Sequence, residues 1–173
     1  MTTPSFRALL DIRNSKEIAL QIVNAIREKP SRMQELMDCF FDEDLRLCQR
    51  ASWPAGMIAD YDQYLILPFL EEMLNNLDTP HHDAVIRNTF RTLQNVDIPE
   101  ELEGLAFEKA FDFLLDPQNA IGIRVFAMTV CGNIALKYPE LKHELVPVIE
   151  EQMEYGSAGY LSRGNRVLRS LGK

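Results

Sequence analysis

Arg50, Arg87 and Arg124 stand 37 residues apart, and a guanidinium offers a planar fork of donors that suits carboxylate or phosphate. Set along one face, the three would form a ladder for an extended anion. The competing reading, preferred for these three, gives each arginine to the acidic turn or the carbonyls of an adjoining repeat, a common use of charge in structural networks. Arg91, one turn beyond Arg87 and without a counterpart in the other copies, is the better ligand candidate. Trp53, the only tryptophan, adjoins Pro54 and Gly56. It either presents an aromatic anchor beside a helix irregularity, where Arg50 could clamp a partner, or fills the core, the preferred reading for a large aromatic. Arg163 and Arg166 belong to a stretch, Ser157 to Lys173, that also holds Arg169 and Lys173 and no acid, so the last helix forms a local basic patch. Asp60 and Asp97, each ten residues after its arginine, are expected to be structural carboxylates.

Other chemistry finds little support. His81 and His82 are adjacent and point to different sides of a helix, His143 is remote, and no three ligands stand at helical spacing, so no metal is expected. No Ser/His/Asp or Cys/His set is suggested, and no catalytic residue or cofactor is assigned. Cys39, Cys48 and Cys131 lack C-x-x-C spacing and sit in apolar helical pattern, as reduced core thiols would. Gly156, Gly159 and Gly164 surround Ser157, Ser162 and Arg163, but without phosphate-loop order or a preceding strand; they read as a turn into a terminal capping helix.

The elements that must position these residues are helices. Ser15 can cap a helix with apolar Ile18, Ile22, Val23 and Ile26, and Pro30 restarts the chain. Ser31 to Phe41 follows, then an acidic break at Asp42-Glu43-Asp44 and a helix from Leu45 that Pro54 is expected to kink or interrupt. Gln63 to Leu77 reads as one helix, after which Thr79 can cap and Pro80 open a helix reaching about Val96. Pro99 starts the next, ended by Asp116-Pro117; Asn119 to Lys137 is the most apolar; Pro139 and Ser157 open the last two. These nine helices with short connections, and no convincing strand, predict an antiparallel helical array. Asn24, Pro30, Glu35 and Leu36 match Asn133, Pro139, Glu144 and Leu145 at an offset of 109 residues, close to three periods, which supports the same repeat length.

A chain of 173 residues with 46% hydrophobic content can bury a core without metal or disulfide staples and excludes a disordered chain. A net charge of −8 disfavours general nucleic-acid binding, since an acidic surface repels phosphate backbones. The charge is uneven: seven acids face Lys109 alone between Asp97 and Asp116. No apolar run approaches the roughly 18 to 20 residues that span a bilayer, and Met1 to Arg13 lacks the apolar stretch of a signal peptide. A cytoplasmic location without membrane insertion is expected.

The acidic or proline break followed by an arginine and an aliphatic face resembles the HEAT-repeat family, whose units pair two helices and carry an acidic residue in the intra-repeat turn and an arginine in the second helix. Asp44 and Arg50 match that spacing best; His81 and Gln118 stand at the matching place before Arg87 and Arg124. The chain is also similar to small bacterial HEAT-like proteins of uncharacterised function through residues 47–53 and 155–164. The resemblance implies an all-α, right-handed α-solenoid of about four helix pairs over residues 15–173, after an N-terminal extension of residues 1–14. It further implies a non-enzymatic scaffold that binds a protein or peptide along a concave face lined by the second helices, as a monomer or homodimer. The alternative implied by the same fold is a DNA-binding activity like that of the bacterial alkylpurine DNA glycosylases, which use a basic concave face with tryptophans and an aspartate.

Overall fold

The computed structural model describes residues 4–173. Their ten α-helices are α1 (Phe6–Ile12), α2 (Lys16–Glu28), α3 (Met33–Phe40), α4 (Leu45–Tyr61), α5 (Leu70–Asn76), α6 (Asp83–Leu93), α7 (Glu100–Leu115), α8 (Ile121–Lys137), α9 (Lys142–Met153) and α10 (Ala158–Ser170), with no strand among the described residues. They form successive pairs, α1/α2 to α9/α10, within two compact units that divide between Asp97 and Ile98. Arg50, Arg87, Arg124 and Arg163 each fall in the first two turns of the second helix of a pair.

Helix starts follow local chemistry. Ser15, Asp44 and Ser157 accept hydrogen bonds from the amides of Ile18, of Arg46 and Leu47, and of Tyr160, satisfying donors that have no intrahelical partner. Pro30 and Pro139 both open a 3₁₀ turn leading into the next helix, so the 109-residue correspondence marks the same junction twice.

Four local expectations are corrected. Residues 6–12, in the stretch read as an extension, form α1, which buries Phe6, Leu9 and Leu10; the first three residues of that stretch lie outside the described residues. A seven-residue helix is too short to hold by itself. Arg7 pairs with Asp42, the Phe6 amide donates to Glu35 at 2.7 Å, and Arg32 donates to the Pro4 carbonyl at 3.1 Å and lies 3.8 Å from the Phe6 ring centroid. Pro54 does not interrupt α4, which runs unbroken through it; the proline removes one backbone donor, while Ala51, Pro54, Ala55, Ile58 and Ala59 hold the helix in the core. Gln63 to Leu77 is not one helix but two 3₁₀ turns, at residues 63–65 and 67–69, before α5, since Pro68 lacks an amide and disfavours helical backbone at Leu67. Thr79 does not cap α6, because its hydroxyl donates to the Asn76 carbonyl at 2.9 Å; His82 Nδ1 instead accepts from the Ala84 amide at 3.1 Å.

In the first unit α4 is central, packing against α2, α3 and α6 around Phe40, Leu47, Ile58 and Phe90. In the second unit that place belongs to α8, which packs against α7, α9 and α10 and is buried on nearly every side, as its all-round apolar sequence requires. At Gly132 the approach is close: a Cβ there would lie 2.7 Å from Val167 Cγ1.

Candidate functional site

The repeated arginines separate once their surroundings are known. Arg50 Nη1 donates to the carbonyls of Leu10 at 2.6 Å and Asp11 at 3.2 Å, closing the C-terminal end of α1, where carbonyls lack intrahelical donors. It does not pair with Asp44, whose carboxylate is occupied in capping α4. Arg124, 8% exposed, reaches back to the Leu114 carbonyl at 3.4 Å, donates to Gln152 Oε1 at 2.6 Å and lies 5.0 Å from the Tyr160 ring centroid. Arg163 donates to Thr129 Oγ1 at 2.6 Å and the Val125 carbonyl at 3.4 Å; burial and the nearby Arg166 charge lower its pKa. These three act on neighbouring helices. Arg87 is exposed and makes no hydrogen bond or ion pair among the described residues.

Arg87 and Arg91 stand one turn apart on α6. The contacts Ser52–Asn88 and Asp60–Asn95 place α4 and α6 side by side in the same direction. Arg91 Nη2 donates to Asp60 Oδ2 at 2.5 Å, and Asn95 Nδ2 donates to Asp60 Oδ1 at 3.1 Å, so one carboxylate holds a side chain of α6 and one of the turn that follows it. Gly56 makes room for this, since its Cβ would be 3.1 Å from Arg91 Nη1. Trp53 is 38% exposed; it does not fill the core. One turn on, half-buried Met57 continues the stripe toward exposed Tyr61, whose ring Arg27 covers at 4.4 Å. Asp97 plays a part like that of Asp60: it accepts from Gln63 Nε2 at 2.9 Å while its amide donates to Gln63 Oε1 at 2.7 Å.

The structure therefore places exposed Trp53 on α4 and Arg87 and Arg91 on the neighbouring α6, and assigns Arg50 to the end of α1. In the second unit, Ser162, Arg166 and Arg169 line a cavity of about 290 Å³ on α10, all three exposed. Spacing alone pointed to neither Met57 nor Gly56. The signal for Met57 was its place four residues after Trp53; Gly56 carried none, because its role depends on a guanidinium 35 residues away.

The three thiols are free and buried; burial pushes Cys39 up to about 11 and raises Cys48 and Cys131, which withholds the thiolate. No cluster of three metal-ligating side chains occurs among the described residues, and no helix among them is long and apolar enough to cross a membrane.

Paired helices with the arginine repeated in the second helix of four pairs agree with a sequence comparison in which the HEAT repeat domain family matches residues 6–171. The chain belongs to the HEAT repeat family. No curated protein and no solved structure matches it. The HEAT match takes in α1, which joins the repeat array through Arg50.

Proposed function

We propose that this HEAT repeat protein is a non-catalytic docking module whose first unit holds an acidic peptide with an apolar anchor on the α4/α6 face. The observation that carries the reading is the exposure of Trp53 on α4, the helix whose Asp60 orients the Arg91 guanidinium of α6. Tryptophan and arginine dominate binding energy at protein interfaces because they combine large contact area with directed polarity. Arg91 gives Asp60 only part of its donor fork, and Arg87 keeps the whole of its own, so a carboxylate can dock without breaking an internal bond. Met57 supplies an adaptable apolar floor.

Trp53 is its own reporter, being the only tryptophan. A ten-residue glutamate-rich peptide with a central leucine is titrated while Trp53 emission is followed. Emission moves to shorter wavelength as the indole is desolvated. The Arg87→Ala, Arg91→Ala double variant binds about tenfold or more weakly, the loss of one to two charged hydrogen bonds. A lysine-rich peptide of the same length that shifts the emission equally, or a double variant with wild-type affinity, refutes the reading. A DNA duplex titrated in parallel tests the glycosylase-like alternative, for which affinity must fall steeply with salt.

A further inference from the structure

Gly104 lies in the fifth position of α7 and has nothing within 4 Å of where a Cβ would stand. Gly56, Gly132 and Gly164 differ: a Cβ there would meet Arg91 Nη1 at 3.1 Å, Val167 Cγ1 at 2.7 Å and Met153 Sδ at 2.8 Å. Those three admit another part of the chain. A glycine within a helix costs stability relative to alanine, and at Gly104 no internal contact offsets the cost. Gly104 is exposed and lies on the lining of an open cavity of about 390 Å³, within the second unit, with Glu103, Phe107, Ile134, Tyr138, Glu140 and Leu141.

Its polar groups are not equivalent. Glu103, 3% exposed, is satisfied: Lys137 donates to Oε1, and the Tyr138 hydroxyl to Oε2 at 2.8 Å. The Lys137 hydrogen bond holds its carboxyl below the ordinary range against the opposing effect of burial, so this acid is ionised at neutral pH. Glu140, exposed at the mouth, makes no hydrogen bond or ion pair among the described residues. Glu103 and Glu140 thus put two carboxylates on the lining of one largely apolar hollow, with Lys137 paired to Glu103.

We propose that this cavity binds a small organic ammonium ion. Phe107, Ile134 and Leu141 enclose its apolar body beside Gly104, and its ammonium group pairs with Glu140 in the field of Glu103. The volume falls at the lower end of small-molecule pockets, about 300 to 1,000 Å³. An anion of the same shape is excluded by the carboxylates, and a neutral one lacks the pairing that Glu140 offers.

Isothermal titration calorimetry on the full chain tests this with 2-phenylethylammonium, 3-phenylpropionate of like shape and opposite charge, and neutral 2-phenylethanol. The ammonium binds, the carboxylate does not, and the alcohol binds about tenfold more weakly. Gly104→Leu, whose Cβ meets no neighbour, sets a bulky side chain on the lining of the hollow and abolishes binding while far-UV circular dichroism stays native. Glu140→Gln weakens the ammonium about tenfold and leaves the alcohol unchanged. Absence of ammonium binding at millimolar concentration, equal binding of the carboxylate, or wild-type affinity in folded Gly104→Leu overturns the proposal. The Arg87→Ala, Arg91→Ala variant binds the ammonium normally, so this cavity and the α4/α6 face stand or fall separately.

Discussion

The same substitution at two glycines of the second unit should have opposite signs. Gly104→Ala replaces the more flexible residue in a helix with the best helix former, a gain of roughly 0.5 to 1 kcal/mol, and its new methyl group meets open space. Gly132→Ala makes the same gain in α8. There, however, the methyl group would lie 2.7 Å from Val167 Cγ1 and 3.8 Å from Val167 Cβ. Val167 is buried and β-branched, with little freedom to rotate away. Either α10 shifts or the core is strained, at about 1 to 3 kcal/mol for one methylene too many. Because the propensity gains cancel, the difference between the two variants isolates this overpacking at about 1 to 3 kcal/mol. Urea unfolding followed by far-UV circular dichroism measures it, with midpoints converted through the denaturant slope. Val167→Ala should recover most of the deficit in the Gly132→Ala background while destabilising the parent, the coupling expected of touching residues. Equal midpoints for Gly104→Ala and Gly132→Ala, or no coupling with Val167→Ala, would refute the close-approach account of Gly132.

Arg50→Ala removes the donor from two carbonyls at the end of α1 and should cost about 1 to 3 kcal/mol, with amide exchange accelerating first in residues 6–12; Arg87→Ala should stay within about 0.5 kcal/mol of the parent in the same urea titration. Glu103, held below its ordinary value chiefly by the Lys137 hydrogen bond, stabilises the native state when ionised. Its contribution is therefore present above the unfolded value of 4.5 and fades as pH falls through the lower folded value. Thermal melts of Glu103→Gln should show a deficit at pH 7 that closes on acidification, and a deficit constant from pH 7 to pH 3 would contradict this role.

Local signals carried far along the chain. The caps at Ser15, Asp44 and Ser157, the proline restarts at Pro30 and Pro139, the apolar periodicity and the 37-residue recurrence each depend on residues a turn or two apart, or on one unit repeating another. They were sufficient for an all-helical array of the HEAT kind and for its second-helix arginines. α1 was not legible, because a seven-residue segment is too short to hold a helix by itself and packs against α3 and α4. Pro54 misled as an interruption for the same reason: a local rule disfavours it within a helix, yet α4 continues through it with Pro54 itself buried. The uses of the arginines were undecided too, since equal spacing does not specify what stands opposite each guanidinium. Arg50 meets carbonyls 39 and 40 residues away, Arg124 meets Gln152 28 residues away, and Arg87 meets solvent. Glycines follow the same division, for Gly104 and Gly132 are alike as helix interruptions in sequence. Only the packing of α10 on α8 closes the space at one, and only the hollow beside α7 leaves it open at the other. Sequence determined the elements and their repeat through short-range forces, whereas long-range contacts decided which polar and glycine positions serve the fold and which remain available to a partner.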